Sequence, residues 1–373
     1  MSIPQFYPNL EQVFSDLHGA WQKQTLPSTL LLVGKAGVGK KKLALELAKL
    51  LCCENPADTS CGRCFSCLSV KDNPSQENAG ETPYLWLPPL DGTGKDLDTL
   101  EKRTEKTLAL TKAMVLDPYS VQLITPSAQH RMESVRDLRK KMSFESDRTQ
   151  VILIPEADRM NPSVANSLLK TLEEAPARTY FVLTTSHPSR ILATILSRSL
   201  KVRVPSLGAK DFVKVASELG EFAPSQLELL YQFTEGAPGF CLSMDQSWLE
   251  ELQTLAVEFL HRSFYHRSDL LLDWVENSDF HQDKGDGEKK LALFWRMLTF
   301  AVQQLHREYQ GMTVQWTGQE EFTRDALKCF SGANQFLMVL EEIEKASQVS
   351  SSVRPMVRLT KLGLGISHLL AEN

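Results

Sequence analysis

The chain is 373 residues long, with 41 Lys plus Arg against 46 Asp plus Glu and a net charge of −5. Its 42% hydrophobic and 23% charged residues are those of an ordinary globular protein. They exclude a largely disordered, collagen-like or rod-like chain and leave room for more than one domain. The acidic balance excludes a general polyanion binder, so any nucleic-acid contact needs a local basic patch or a partner that supplies one.

In chain order, Leu10, Val13, Phe14, Leu17 and Trp21 predict a helix over 10–22. The apolar run Leu30–Val33 ends at Gly34 and reads as a buried strand, and Lys40–Leu51 as the helix after it. Residues 75–130 are the least regular part. Pro83–Leu90 is rich in Pro and aromatic residues, and Lys95–Val115 reads as an exposed amphipathic helix. A basic helix at Val135–Met142, a strand at Gln150–Ile154 and a helix at Pro162–Glu174 follow, the last bounded by Asn161 and Pro176. Tyr180–Thr185 and Leu200–Val204 read as strands on either side of a short helix at Ile191–Arg198. Alternating strands and helices predict a mostly parallel sheet covered on both faces. Beyond Pro205 the pattern is helical: Lys210–Leu219, Pro224–Phe233, Trp248–Phe264, Lys289–Tyr309, Arg324–Ser347 and Met356–Ala371, with a polar loop at Asn277–Glu288. No apolar run reaches the roughly 18 residues of a membrane helix. Met1–Asn9 has neither the basic flank nor the apolar stretch of a secretory signal. A cytoplasmic protein is expected.

Four motifs carry chemistry. Gly34-Lys35-Ala36-Gly37-Val38-Gly39-Lys40-Lys41 fits a phosphate-binding loop between strand and helix. Gly34, Gly37 and Gly39 let the backbone curl its N–H groups toward phosphate oxygens, and Lys40 reaches the outer phosphates. The motif ends in Ser or Thr, whose hydroxyl ligates Mg²⁺, but here the position is Lys41, which as a cation repels the metal. The strand Val151–Ile154 ends in Pro155-Glu156-Ala157-Asp158. A strand end of this kind holds the Mg²⁺ carboxylate and the water-orienting acid. Pro155 stands at the first of these positions and Glu156 at the second. Five of the seven cysteines (Cys52, Cys53, Cys61, Cys64 and Cys67) crowd one short segment. A disulfide framework would spread them along the chain. Cys61-x-x-Cys64-x-x-Cys67, with Cys52 or Cys53 as a fourth thiolate, is a set for structural Zn²⁺. Finally, Arg198 in Ser197-Arg198-Ser199 lies between a helix and a strand. Such an arginine either decorates the surface or reaches across an interface to a neighbour's phosphate.

These motifs, in this order, resemble the bacterial DNA polymerase III clamp-loader branch of the AAA+ family. The most specific stretch is Asn166-Ser167-Leu168-Leu169-Lys170-Thr171-Leu172-Glu173-Glu174-Ala175-Pro176. Thr184-Thr185-Ser186 stands where that family keeps its sensor-1 residue, and Ser197-Arg198-Ser199 resembles its S-R-C motif. The resemblance implies an α/β AAA+ (P-loop NTPase-like) domain with a parallel sheet over 1–205. That domain would carry a zinc module at 52–67 and an insertion at about 92–124. A small helical lid at 206–246 and an all-α collar at 247–373 would follow. The family's cysteine spacing implies Cys52 as the fourth zinc ligand beside Cys61, Cys64 and Cys67.

Within the family the departures point to a delta-prime-like stator rather than a tau/gamma-like motor. Lys41 and Pro155 replace both Mg²⁺ groups, and the sensor-2 arginine expected near Phe240 is absent. Arg198, which would serve a neighbour's site in trans, is kept. Glu156 would then be a catalytic remnant, and ATP or ADP, if held by Gly34, Gly37, Gly39 and Lys40, would lack normal Mg²⁺ coordination. The implied partners are the motor and delta subunits of a hetero-oligomeric ring and, through it, the sliding clamp and primer-template DNA, in the cytoplasmic, nucleoid-associated replisome. Two other readings are an autonomous ATPase using Lys40 and Glu156, and a DNA-binding protein using Arg136, Arg139, Lys140 and Lys141.

Overall fold

The computed structural model describes residues 6–72, 84–92, 97–121, 123–124, 128–142, 149–219, 222–243, 246–265, 268–278, 280, 286–312, 320–347, 349 and 353–371. In chain order the elements are α1 Pro8–Gln22, β1 Thr29–Val33, α2 Lys40–Cys52, α3 Phe65–Asp72, β2 Tyr84–Trp86, α4 Leu100–Leu116, α5 Met132–Met142 and β3 Gln150–Ile154. Then come α6 Pro162–Glu173, β4 Thr179–Thr185, α7 Ala193–Arg198, β5 Leu200–Arg203, α8 Ala209–Leu219, α9 Pro224–Thr234 and α10 Gly239–Ser243. The rest is α11 Gln246–Phe264, α12 Ser268–Asn277, α13 Asp286–Tyr309, α14 Glu320–Leu327, α15 Ala333–Ser347 and α16 Pro355–Ala371. The chain divides into two compact units, residues 1–220 with 234–243, and residues 221–233 with 244–373. The segment expected as a lid, 206–246, is thus shared between them.

The first unit is built on five parallel strands in the order β2-β3-β4-β1-β5. Leu31 lies opposite Leu183, and Ile152 opposite Phe181. β1, β3 and β4 read as unbroken apolar runs because both faces of a parallel sheet are covered. Leu31, Ile152, Phe181 and Leu183 share one core with Val135 and Leu138 of α5 and Val164 and Leu168 of α6. Asn161 caps α6 by accepting from Val164 N at 2.9 Å, with Pro162 in the first turn. From β1 the chain crosses to the far edge at β2, β3 and β4 step back toward β1, and β5 lies on its other side. A crevice at the carboxyl ends of such strands is the usual ligand site of an open parallel sheet. The loop after β1 sits there.

Three readings of the sequence change. The Pro-rich, aromatic stretch at 83–90 contains a strand, β2, whose three residues pair with Val151–Leu153. The helix expected over 95–115 starts later, at Leu100, where Thr99 accepts from Lys102 N; residues 93–96 lie outside the described set. The single helix expected over 324–347 is two helices. They break at Ser331-Gly332, where Gln335 Oε1 reaches back to accept from Ser331 N at 2.7 Å and starts α15.

The second unit is helical among its described residues. Its centre is aromatic: Phe259 meets Phe294 edge-on at 5.9 Å, and Phe330 stacks on Phe336 at 3.9 Å. The Arg358 guanidinium lies over Trp295 at 5.4 Å. Helix α12, which includes the buried Leu271 and Val275, was not foreseen in the sequence. No described helix is long and apolar enough to cross a membrane.

Candidate functional site: a phosphate loop with its acidic turn, and a thiol cluster

The loop from Gly34 to Gly39 curls as its sequence predicts. Gly37 and Gly39 have φ of 77° and 98°, a region that side chains with a Cβ disfavour. Lys40 begins α2, and its buried ammonium turns back onto the loop. Nζ donates to Gly34 O and Lys35 O, each at 2.7 Å, and to Ser186 Oγ at 2.9 Å. A lysine ammonium has three N–H donors, and these three acceptors account for them. Burial lowers the Lys40 pKa to about 8, with Glu156 and Asp158 opposing. Ser186, in the expected sensor-1 stretch, therefore bonds to the loop lysine.

Lys41 stands where a Mg²⁺-ligating hydroxyl would be, and its Nζ donates to Ser120 O at 2.6 Å. Burial lowers its pKa as well. The acidic turn after β3 is equally engaged. Pro155 offers no carboxylate. Glu156 has φ of 50° and its carboxylate pairs with Arg159 Nε at 2.5 Å. The nearly buried carboxylate of Asp158 accepts from Thr185 Oγ1 at 2.5 Å and lies 3.3 Å from His187 Nδ1. Burial works against ionisation of Asp158, but the hydrogen bonds from His187 and Thr185 outweigh it and hold the carboxyl at about 2. Thr184 Oγ1 accepts from Glu156 N at 3.1 Å, tying β4 to the turn. Both acids are thus already paired with groups of the same chain.

Several members of this site carry no local signal in the sequence. His130 is buried, and its Nε2 lies 3.1 Å from both Pro155 O and Glu156 O. Both partners are carbonyls, so Nε2 carries the proton. Tyr119, Ser120 and Val121 reach the loop from the segment just after α4. Tyr119 packs on Tyr7 with ring centroids 4.7 Å apart. A Cβ at Gly39 would lie 2.6 Å from Tyr119 Cε1, and one at Gly37 would lie 3.0 Å from Val121 Cγ1 and 3.1 Å from Phe240 Cδ2. Gly239 N donates to Gly37 O at 2.9 Å, and Asn9 Nδ2 donates to Val38 O at 3.0 Å. Phe240, near which a sensor-2 arginine was expected, packs against Gly37 instead. No spacing rule marks these residues, because they are brought to the loop from distant parts of the chain.

Arg198 closes α7. Its Nη2 pairs with Glu173 at 2.8 Å and its Nη1 donates to Thr194 O at 3.2 Å. The two side chains are 45% and 51% exposed, so the pair is open to water and weak.

The cysteine cluster corrects the sequence reading. The sulfurs of Cys53, Cys61, Cys64 and Cys67 all lie within 4.8 Å of one another. Cys52 is not among them. It is the last residue of α2, buried, with Sγ 3.5 Å from Thr149 O. Cys53 leaves the helix with φ −67° and ψ 134°, and this extended step turns its side chain toward the 61–67 loop. Cys61 N and Cys64 N approach the sulfurs of Cys53 and Cys61 at 3.2 and 3.4 Å. N–H donation from Arg63 and Cys64 lowers the Cys61 thiol to about 6, while burial pushes Cys67 up to about 12. Four thiols this close ionise together only around a cation, so the donor set fits a metal ion.

The sheet order, the phosphate loop after β1 and the acidic turn after β3 define an α/β domain of the AAA+, P-loop NTPase-like class. A family model described as "DNA polymerase III, delta subunit" matches residues 9–208, just over half of the chain. The chain belongs to that family. DNA polymerase III subunit delta' of Pseudomonas aeruginosa is 30% identical over 244 residues, covering 63% of this chain and 60% of that protein. The Escherichia coli delta' subunit is 28% identical, covering 65% of this chain and 61% of its own length. Subunit tau of Salmonella typhimurium is 26% identical over 63% of this chain and 31% of its own. The chain thus spans about three-fifths of the delta' relatives it matches. Among solved structures, a gamma subunit-related protein of Thermotoga maritima has a TM-score of 0.36 at 16% identity, covering 79% of this chain and 98% of that one.

Proposed function

We propose that this chain is a delta-prime-like stator subunit of a DNA polymerase III clamp loader. It would help ATP-driven loading of the sliding clamp onto primed DNA without hydrolysing ATP itself. The observation that carries the reading is an asymmetry between its own site and the residue it offers to others. Lys41 and Pro155 replace the Mg²⁺ groups, and Glu156 and Asp158 are engaged by Arg159, Thr185 and His187. Arg198, by contrast, stands at an exposed helix end, held by a water-accessible pair. A guanidinium there can leave Glu173 at little cost and turn to the phosphate of a nucleotide bound by an adjacent motor subunit, where it stabilises developing charge. The motor and delta subunits would be the ring partners; clamp and primer-template DNA would be met through the assembly, within the replisome.

Zn²⁺ is the proposed occupant of the thiol cluster, held by Cys53, Cys61, Cys64 and Cys67. Four thiolates leave no open position, so the metal would fix the fold of the segment between α2 and α3 and supply no reaction.

The test is the ATPase of the reconstituted complex with Arg198→Ala. We expect the variant to assemble normally while stimulated turnover falls about 10³-fold at the dependent site, the lower end for an arginine supplied in trans. Unchanged turnover in a fully assembled ring would refute the role.

A further inference from the structure

We propose that the segment Asp117–Val121 is an internal occupant of this chain's own phosphate loop, which keeps nucleotide out. From the proposed function the inference takes only that the loop is not a hydrolytic site.

The fold is one that binds nucleotide at this loop, through backbone N–H groups of residues 37–41 and the amine of Lys40. In this chain other residues of the same chain pack on Gly37 and Gly39 and bond to Lys41. Ser120 presents its carbonyl to Lys41 Nζ at 2.6 Å, so this side chain is already bonded to a neutral oxygen of the chain rather than left for a phosphate. The Tyr119 ring is buried, packed on Tyr7 and set against Gly39 so closely that a methyl group there would lie 2.6 Å from its edge. Val121 and Phe240 close in the same way on Gly37. Gly239 locks the far side: its N–H donates to Gly37 O, and a Cβ at this position would collide with Tyr119 O. Lys40 spends its donors on Gly34 O, Lys35 O and Ser186 Oγ.

These contacts converge on one loop, and three of the residues making them, Tyr119, Ser120 and Val121, are consecutive. They lie just beyond Asp117 and Pro118; Asp117 is the C-cap of α4, and its carboxylate accepts from Ser120 N at 3.0 Å and holds the turn in shape. A triphosphate would have to displace the segment to reach the loop. Nucleotide affinity is therefore reduced by the fraction of chains in which the segment has left. The segment would thus replace a ligand by a piece of protein, keeping the loop ordered without responding to nucleotide level.

The experiment uses the purified full chain and mant-ADP and mant-ATP, with and without Mg²⁺. Three proteins are compared: the unmodified chain, a variant with Asp117–Val121 replaced by Gly-Ser-Gly-Ser-Gly, and that variant carrying Lys40→Ala. We expect the replacement to bind at least about tenfold more tightly than the unmodified chain, and Lys40→Ala to abolish the gain. Equal binding by the first two proteins, or a gain that survives Lys40→Ala, overturns the proposal. Should the replacement fail to fold, amide hydrogen exchange on the unmodified chain decides. Excess Mg-ATP that protects residues 37–41 while 117–121 stays protected overturns the proposal, and no change at either segment supports it. Neither readout involves Arg198 or a second subunit, so failure here leaves the stator reading standing, and failure of the ring ATPase test leaves this one standing.

Discussion

Replacing Cys53 by Ser separates the two candidate ligands at the end of α2. A tetrahedral zinc with Zn–S of about 2.3 Å requires sulfurs about 3.8 Å apart. Cys53 and Cys64, and Cys61 and Cys67, are already 4.0 Å apart, and no pair in the cluster exceeds 4.8 Å. The ion therefore needs these separations to close by no more than about 1 Å. Structural zinc contributes about 10–16 kcal/mol in small four-ligand sites, so one thiolate of four carries roughly 3 kcal/mol. Cys53→Ser should weaken zinc about 10²-fold or more. Cys52→Ser exchanges one buried donor to Thr149 O for another and should cost no more than about 1 kcal/mol, with metal retained. The assay is metal content by mass spectrometry after gel filtration, followed by competition with a chromogenic chelator. The unmodified chain and Cys52→Ser should hold zinc, and Cys53→Ser should surrender it at far lower chelator concentration. Loss of zinc from Cys52→Ser together with retention by Cys53→Ser would refute the geometric reasoning and restore the spacing rule.

Two further predictions concern the first unit. Burial lowers His130 to about 4 against an ordinary value of 6.5, with the carbonyls of Glu156 and Pro155 opposing. The unfolded chain then takes up a proton before the folded one does. Stability attributable to His130 is thus full above pH 6.5 and falls by about 3 kcal/mol as the pH drops to 4. His130→Gln, which keeps a donor in reach of both carbonyls, should remove that slope in urea melts run across this range; parallel curves for the two proteins would count against it. Asn161→Ala removes the side-chain cap of α6 and should cost about 1 kcal/mol, read as a shift in urea midpoint at constant m. A shift below a few tenths of a kcal/mol would mean that Pro162 and the buried face of α6 hold the helix start unaided.

Much of this was written locally. β1 with its glycine loop, β3 and β4 are apolar runs with clear ends, and α6 carries Asn161, Pro162 and a periodic buried face. These features lie within one element, so one stretch of sequence states them. Lys41 and Pro155 were equally plain, since each is a residue type that cannot perform the chemistry of its position. Other features fell between elements. Three residues of β2 are too few to show a period, and their strand character comes from pairing with β3. The break between α14 and α15 lies at Ser331-Gly332, where apolar periodicity runs on but the backbone does not.

The remaining decisions were tertiary. Cys52 and Cys53 are adjacent and chemically identical, and only the last turn of α2 separates them: one sulfur follows the helix phase into the core, and the other leaves with the extended backbone. The engagement of Glu156 and Asp158 depends on Arg159 and on Thr185 and His187, the latter two brought across from the end of β4. The packing of 117–121 against the phosphate loop joins positions some eighty residues apart, for which no local pattern exists. The sequence by itself determined the class of domain, because backbone curvature and the presence or absence of a hydroxyl or carboxylate are properties of single residues. Which groups are already bonded, and so what the site can hold, is a property of pairs, and only the folded chain selects the pairs.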